Sequence, residues 1–307
     1  MVYVVITSYK EASTIGTAVE QVICPNTDLW PNLKLLVVAP DDPTLKEAER
    51  VCQRYEFSNV ILIKDSGAGK PRALNIAVDA ITNGMSGTQH DDVLVLTDGD
   101  VRVDDAAIKN LLKTLSLSIR YGATGAHPVS ADSRTSLFGY FSHVFCSAAH
   151  VRRTQSSTVP MSGYLYAVRT SLIKNIFPVP EQIRAEDAYV SQKILALGSK
   201  ISYTPDALVY VKFPKNLADW YRQKTRSLGG NVQLADRSFG PCAHTPRSVF
   251  QDLEMVFFPL TFARSLKEFV WSLLLYPLRL SLWLSIYYNH LFKKYKSGAW
   301  DRIESSK

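Results

Sequence analysis

The chain has 307 residues, 46% of them apolar, with ordinary glycine and proline content; that is long enough for one large domain plus an appendage and excludes a disordered or fibrous protein. Lysine and arginine number 35 against 28 aspartate and glutamate, a formal net charge of +7, which suits an anionic partner such as nucleotide phosphates, nucleic acid or an acidic membrane surface. Cys24, Cys52, Cys146 and Cys242 lack the spacing of a zinc site, and in a chain of this size they read as reduced thiols.

The chain opens directly on Val2–Ile6, a β-branched run without the features of a signal peptide. Leu33–Val38, Val60–Ile63 and Val93–Leu96 are similar runs. None alternates strictly, so each predicts a strand buried on both faces. Helical spacing lies between them, most clearly after Pro71, where Leu74, Ala77, Val78 and Ile81 share one face. Strand–helix alternation predicts an α/β fold with a mostly parallel sheet covered by helices.

Composition changes near residue 236. Asp236–Pro246 reads as a linker, and residues 247–307 are apolar and aromatic. Phe269–Phe292 holds eight leucines and two tryptophans, preceded by Lys267 and followed by Lys293, Lys294 and Lys296. A 24-residue helix is about 36 Å long, enough to cross a bilayer core. Arg279 near its middle costs about 2.5–3.5 kcal/mol on insertion scales, and Pro277 is expected to kink it. Three placements stay open: helices lying in the membrane interface, one poor span, or a buried helix.

Four motifs carry chemistry. Val93–Leu96 leads through Thr97 to Asp98-Gly99-Asp100, a buried strand ending in two carboxylates. Ligands of open α/β sheets bind beyond the carboxyl ends of strands, and hard cations such as Mn²⁺ or Mg²⁺ take one or two carboxylates plus substrate phosphates. Gly99 is expected to let a diphosphate approach the backbone. Gly67–Asn75 is not a P-loop, because Lys64 stands five before Gly69 and Pro71 follows Lys70. It reads as a glycine-rich turn opening a helix, with Lys70 and Arg72 placed for an anion. Glu186-Asp187 offers a general base, with only one of the two side chains expected to face a site. Trp220, Gln223 and Arg226 fall on one helix face, able to hold a sugar and a diphosphate.

Together these motifs resemble the family 2 glycosyltransferases, inverting enzymes with the GT-A nucleotide-sugar-binding fold. The resemblance covers about residues 1–233. Thr7-Ser-Tyr-Lys-Glu11 resembles the family's first strand and acidic turn beside the donor base, and Asp41-Asp42 its second acidic turn. Gly69–Asn75 resembles the stretch ending in Ala-Leu-Asn, and Asp98-Gly-Asp100 the metal-binding DxD. Met161-Ser162-Gly163 through Arg169 resembles the acceptor-side segment, Glu186-Asp187 the ED motif, and Gln223-Lys-Thr-Arg226 the QxxRW motif. Two departures stand out: Ser227 replaces the tryptophan of QxxRW, a mark of polymerising members, and Val37–Asp41 differs from the usual acidic turn.

The resemblance implies a UDP- or GDP-sugar donor contacted by Thr7, Glu11, Asp41, Lys70, Arg72, Asn75, Asp98 and Gly99. It implies Mn²⁺ or Mg²⁺ on Asp98 and Asp100, and Asp187 as base beside Glu186. Ser162, Gly163, Trp220, Gln223 and Arg226 would serve the acceptor and diphosphate. With the C-terminal segment, it implies a saccharide or lipid-linked acceptor at the cytoplasmic side of a membrane. A sugar-phosphate nucleotidyltransferase places its basic glycine loop after the first strand, whereas here that loop follows Ile63. An inactive membrane scaffold on this fold remains an alternative, and no nucleic-acid recognition motif is present.

Overall fold

The computed structural model describes residues 1–84, 92–156, 160–235 and 249–292. The linker reading at Asp236–Pro246, Cys242 and the Lys293–Lys296 cluster lie outside the described residues. The four early apolar runs form strands β1 (Val2–Thr7), β2 (Leu33–Ala39), β3 (Val60–Lys64) and β4 (Val93–Asp98). They pair in parallel in the order β3-β2-β1-β4. Helices α1 (Ile15–Ile23), α2 (Asp42–Arg54) and α3 (Lys70–Asn83) make the crossovers.

The second half adds β5 (Arg102–Val103), α4 (Ala107–Ser116), β6 (Tyr121–Ser130) and α5 (Leu137–Gln155). It continues with β7 (Leu165–Arg169), α6 (Thr170–Ile176), α7 (Glu186–Ala196), β8 (Lys200–Val211) and α8 (Leu217–Ala235). Strand β7 runs antiparallel to both β4 and β6, so the sheet becomes mixed beyond β4 and ends β4-β7-β6-β8-β5.

The parallel strands do not alternate in hydrophobicity because both faces are covered. On one face Val4, Ile6, Leu35, Val37 and Val95 pack with α1, α2 and α4. On the other, Val5, Leu36, Val38, Leu94 and Leu96 pack with α3 and α7. The β1–β4 register sets Thr7 opposite Asp98, so the C-terminal ends of two central strands arrive together.

The C-terminal segment forms α9 (Val249–Leu253), α10 (Phe258–Phe262) and α11 (Leu266–Leu291). Pro277 sits inside α11 without ending it. Leu275, Leu282, Trp283 and Ile286 of α11 join Tyr140, Phe141 and Val144 of α5 and Trp220, Leu228 and Val232 of α8 in a third core. Arg134 grips Glu268 through Nε at 2.6 Å and a second nitrogen at 2.8 Å, and it also reaches the Phe262 carbonyl. The bonded Arg134 guanidinium holds the Glu268 carboxyl down at about 2. Arg279 turns inward and pairs with Asp252, whose carboxylate also accepts from Trp283 Nε1 at 2.8 Å. Among the described residues α11 is the one helix long and apolar enough to cross a membrane, yet one of its faces is core.

That division predicts unequal responses along α11. Leu282→Ala should destabilise the protein by about 2–5 kcal/mol, whereas Leu284→Ala, at a 63% exposed position, should change stability by no more than about 0.5 kcal/mol. Urea unfolding of the two variants measures the contrast.

Candidate active site

The ends of β1 and β4, the start of α3, the start of α7 and the segment before β7 meet around a cleft of about 370 Å³. Its floor is ionic. Lys70, the first residue of α3, is buried, and its Nζ lies 2.6 Å from Asp98 Oδ1 and 3.0 Å from Glu186 Oε1. The same ammonium donates to the Gly163 carbonyl at 3.1 Å. Burial alone would lower the Lys70 pKa, but Asp98 and Glu186 outweigh it and hold the ammonium charged. Lys70 was expected to meet a substrate anion; in the structure it ties two carboxylates of the protein together.

Asp98 is fixed from below by Thr7, whose Oγ1 donates to Oδ1 at 3.1 Å. Thr7 therefore supports Asp98 rather than lining the cleft. Gly99 has a different role from the one expected. A Cβ there would lie 2.5 Å from Ser8 Oγ and 3.0 Å from Glu11 Oε2, so its missing side chain makes room for the turn after β1. That turn bends at Lys10, with φ of 57°, and brings Glu11 into the cleft wall. Ser8 donates to Glu11 at 3.0 Å, and the Glu11 N–H donates to Thr44 Oγ1 at 2.9 Å.

Glu186 and Asp187 both line the cleft, against the expectation that only one would. They open α7, where the helix dipole favours acids. Asp187 Oδ2 accepts from Gly163 N at 2.9 Å and Oδ1 from Ala188 N at 2.8 Å. A Cβ on Gly163 would lie 3.2 Å from that Oδ2, so the glycine lets the carboxylate close on the backbone. Burial, with Glu186 beside it, pushes the Asp187 carboxyl up to about 6. Burial also raises Asp98, and the nearby Asp100 charge adds to the rise.

Asp98 and Asp100 fit a divalent cation. Both line the cleft, both offer hard oxygens, and their mutual repulsion is what a cation relieves. No group of three or more His, Cys, Asp or Glu side chains is gathered for a metal among the described residues. A cation on the pair would complete its shell with phosphate and water oxygens.

Other expected site residues have moved. Asp41 caps α2, accepting from Thr44 N at 3.1 Å and from Lys10 N at 2.9 Å, so it shapes the turn that presents Glu11. Arg72 points to exposed Glu181 at 3.1 Å. Asn75 is a strut: Nδ2 donates to the Val179 carbonyl and Oδ1 accepts from Val179 N, each at 2.8 Å. Trp220 is 1% exposed and belongs to the third core, because the apolar faces of α5 and α11 claim it. Ser162, Gly163, Gln223 and Arg226 do line the cleft. Gln223 Oε1 is buried with no protein hydrogen-bond partner among the described residues, which leaves it an acceptor for a ligand hydroxyl.

The sequence reading missed part of the lining. Arg152 and Arg153 end α5, Lys212 follows β8, Lys224 stands beside Gln223, and Asp252 and Arg279 come from the C-terminal helices. Only the paired arginines leave a sequence signal, and a basic last turn of a helix is common.

Removing the ammonium should be severe. Lys70→Met leaves two buried carboxylates uncompensated and should cost about 3–5 kcal/mol of stability, whereas Arg72→Met, at an exposed pair, should cost at most about 1 kcal/mol. Chemical denaturation of both variants measures the difference.

Comparisons with known proteins give the family and the fold. The profile described as "Glycosyltransferase like family 2" matches residues 1–230. A "Probable glycosyltransferase YdaM" from Bacillus subtilis is 24% identical over 208 residues, 65% of this chain and 48% of that protein. The O-antigen chain rhamnosyltransferase RfbN of Salmonella typhimurium is 28% identical over 204 residues, 59% of this chain and 61% of that one. The chain thus spans about half to three fifths of the curated relatives it matches. The mannosyltransferase PcManGT from Pyrobaculum calidifontis, solved with GDP-Man and Mn²⁺, superposes with a TM-score of 0.68 at 19% identity, over 96% of this chain and 88% of that one. That likeness identifies the fold as GT-A, mixed sheet and flanking helices included. With three quarters of its length matched by one family's pattern and its acidic cleft at the strand ends, the chain belongs to glycosyltransferase-like family 2.

Proposed function

We propose that this chain transfers a sugar from a nucleoside-diphosphate sugar to an acceptor hydroxyl, with inversion at the anomeric carbon. One observation carries the reading: Asp98 and Asp100 at the end of β4 share a cleft with Asp187 at the start of α7, and Lys70 bridges the two sides. Family membership supports a sugar transfer, and the relatives and neighbours are named as transferases.

In this reading the donor diphosphate lies toward Asp98 and Asp100, with Glu11 at the nucleoside end and Arg226 on the phosphates. A divalent Mn²⁺ or Mg²⁺ held by the two aspartates supplies charge neutralisation for the departing diphosphate. The acceptor oxygen attacks the anomeric carbon as the carbon–oxygen bond to the diphosphate breaks, and Asp187 takes the acceptor's proton. The N–H groups of Gly163 and Ala188 fix the Asp187 carboxylate, so its free lone pairs keep one direction. A carboxyl raised to about 6 is a stronger base than an ordinary aspartate and is still mostly ionised at neutral pH.

Because the base acts in its deprotonated form and its pKa is raised, kcat/KM should be flat above about pH 7. It should fall with decreasing pH through about 6, approaching tenfold per unit. Steady-state rates across a nucleotide-sugar panel, with and without Mn²⁺ or Mg²⁺, test the assignment. Asp187→Asn should lose transfer by at least about a hundredfold while keeping donor binding, and Asp100→Ala should lose metal-dependent donor binding. Undiminished transfer by Asp187→Asn would remove the base; failure of wild type to bind any donor would remove the transferase reading.

In this reading the outward face of α11 rests on a membrane surface. Phe269, Leu273, Leu280, Leu284, Tyr288 and Leu291 are exposed along it, and lysines flank the helix in the sequence. Its inner face is occupied by α5 and α8, which supports a helix lying in the interface over one that spans the bilayer. Leu280→Glu with Leu284→Glu should abolish co-sedimentation with vesicles rich in anionic lipid while leaving the thermal midpoint within a few degrees; vesicle binding equal to wild type would exclude this face.

A further inference from the structure

The C-terminal end of α5 rests on an irregular part of the sheet. The β6–β8 register steps from Thr204 beside Ala126 to Leu208 beside His127, which leaves Pro205, Asp206 and Ala207 bulged out of the ladder. Two side chains hold the bulge. Asn110 Nδ2 of α4 donates to the Asp206 carbonyl at 2.9 Å, and His127 Nδ1 of β6 donates to the Pro205 carbonyl at 3.1 Å. A carbonyl only accepts, so the neutral His127 ring carries its proton on Nδ1 and a lone pair on Nε2.

His150 of α5 closes over that ring. The two imidazoles stack with centroids 4.1 Å apart and planes 17° from parallel. His150 Nδ1 lies 2.8 Å from Tyr203 Oη on β8. Such a stack suits two neutral rings, or one neutral and one charged. It does not suit two charged rings, because like charges then face each other at close range.

The surroundings add to that repulsion. Arg153 stands three residues after His150, on the same side of α5. Burial lowers the His127 pKa, His150 lowers it further, and Arg153 adds to the effect. The Pro205 carbonyl and Asp206 pull the other way, and Asp206 is exposed. Tyr203 and the Cys146 thiol are both pushed up to about 12 by burial and stay neutral. From α4 the bulge meets the uncharged amide of Asn110.

This end of α5 also shapes the cleft. Arg152 and Arg153 line it, and Arg153 Nε donates to the Pro160 carbonyl at 3.3 Å. A second cavity of about 320 Å³, lined by Arg153, Thr154, Gln155, Tyr203 and Pro205 among others, borders the same turn and offers it space to shift.

We propose that His127 and His150 are a proton-sensitive clasp: neutral, they hold the last turns of α5 on the β6–β8 bulge, and doubly protonated they release them. Release carries Arg152 and Arg153 away from the cleft wall and frees the Pro160 carbonyl, so the cleft loosens in acid. This goes beyond the transferase reading and does not depend on it. His127 binds its proton more weakly in the folded chain than in the unfolded one. The stability drawn from the clasp is therefore complete above the unfolded histidine value of about 6.5 and is lost as pH falls below it.

Hydrogen–deuterium exchange of the full-length protein at about pH 7.5 and about pH 5, corrected for the intrinsic effect of pH, tests the clasp. Residues 147–155 should lose protection at least about tenfold in acid, while α2, in the parallel half of the sheet, should change less than about twofold. His150→Phe keeps an aromatic ring in the stack but takes no proton, and should hold the loss below about threefold. His127→Asn, which can still donate to the Pro205 carbonyl, should do the same from the other ring. Both variants retain Asp187, so any loosening caused by its titration persists in them. In wild type itself, histidine NMR should show His127 titrating below about 6.5, and His150→Phe should move that midpoint upward. Equal loss of protection in wild type and both variants, no loss in wild type, or a His127 midpoint at or above the ordinary value overturns the clasp. Should neither variant fold, the wild-type exchange and titration decide it.

Discussion

A buried ammonium sits between two carboxylates, and the rest of the site depends on it. Lys70 reaches Asp98 at 2.6 Å, Glu186 at 3.0 Å and the Gly163 carbonyl at 3.1 Å. Those partners come from the end of a parallel strand, the start of a helix after the sheet has turned antiparallel, and the segment between. Three carboxylates in one buried place repel one another and lose hydration, which is why the Asp98 and Asp187 carboxyls are raised. One cation inside the cluster keeps the arrangement tolerable and joins the end of β4 to the start of α7. The cost of burying these charges is accepted where charge is needed for chemistry.

The glycines follow from the same crowding. Gly99 leaves space for Ser8 and Glu11, and Gly163 lets Asp187 close on a backbone N–H. Neither is required by an unusual backbone angle; each is required by a neighbour that comes too close for a Cβ. The turn at Lys10, the Asp41 cap and Thr44 then hold Glu11 where the first two strands end. Local capping of α2 and the placing of an acid in the cleft are one hydrogen-bond system.

The C-terminal helices are joined to the catalytic body through the third core, and they reach the cleft. Arg279, awkward for a membrane span, turns inward to Asp252 and the Phe145 face. The apolar residues of α11 thereby divide. Those packed on α5 and α8 stabilise the fold, and those facing out leave an apolar strip. A helix with two apolar faces reads in sequence as a spanning segment, and only its neighbours reveal that one face is already occupied.

The sequence by itself determined the parallel half of the sheet, the helix after Pro71 and the acidic motifs at Asp98–Asp100 and Glu186–Asp187. Two-sided burial writes itself as unbroken β-branched runs, and strand-end carboxylates can be placed by counting along an element. What each side chain touches was decided by tertiary structure. Trp220 shares a helix face with Gln223 but lies where α5 and α11 close over it, so it became core while Gln223 faced the cleft. Asn75 became a strut to Val179, and Arg72 turned outward to Glu181. Arg153, Lys212 and Lys224 are distant in sequence, and only the packing of the elements that carry them brings them to the lining of one cleft. Spacing along the chain fixes a side chain's place on its own element; the partner across the gap is fixed by packing between elements, which no local pattern records.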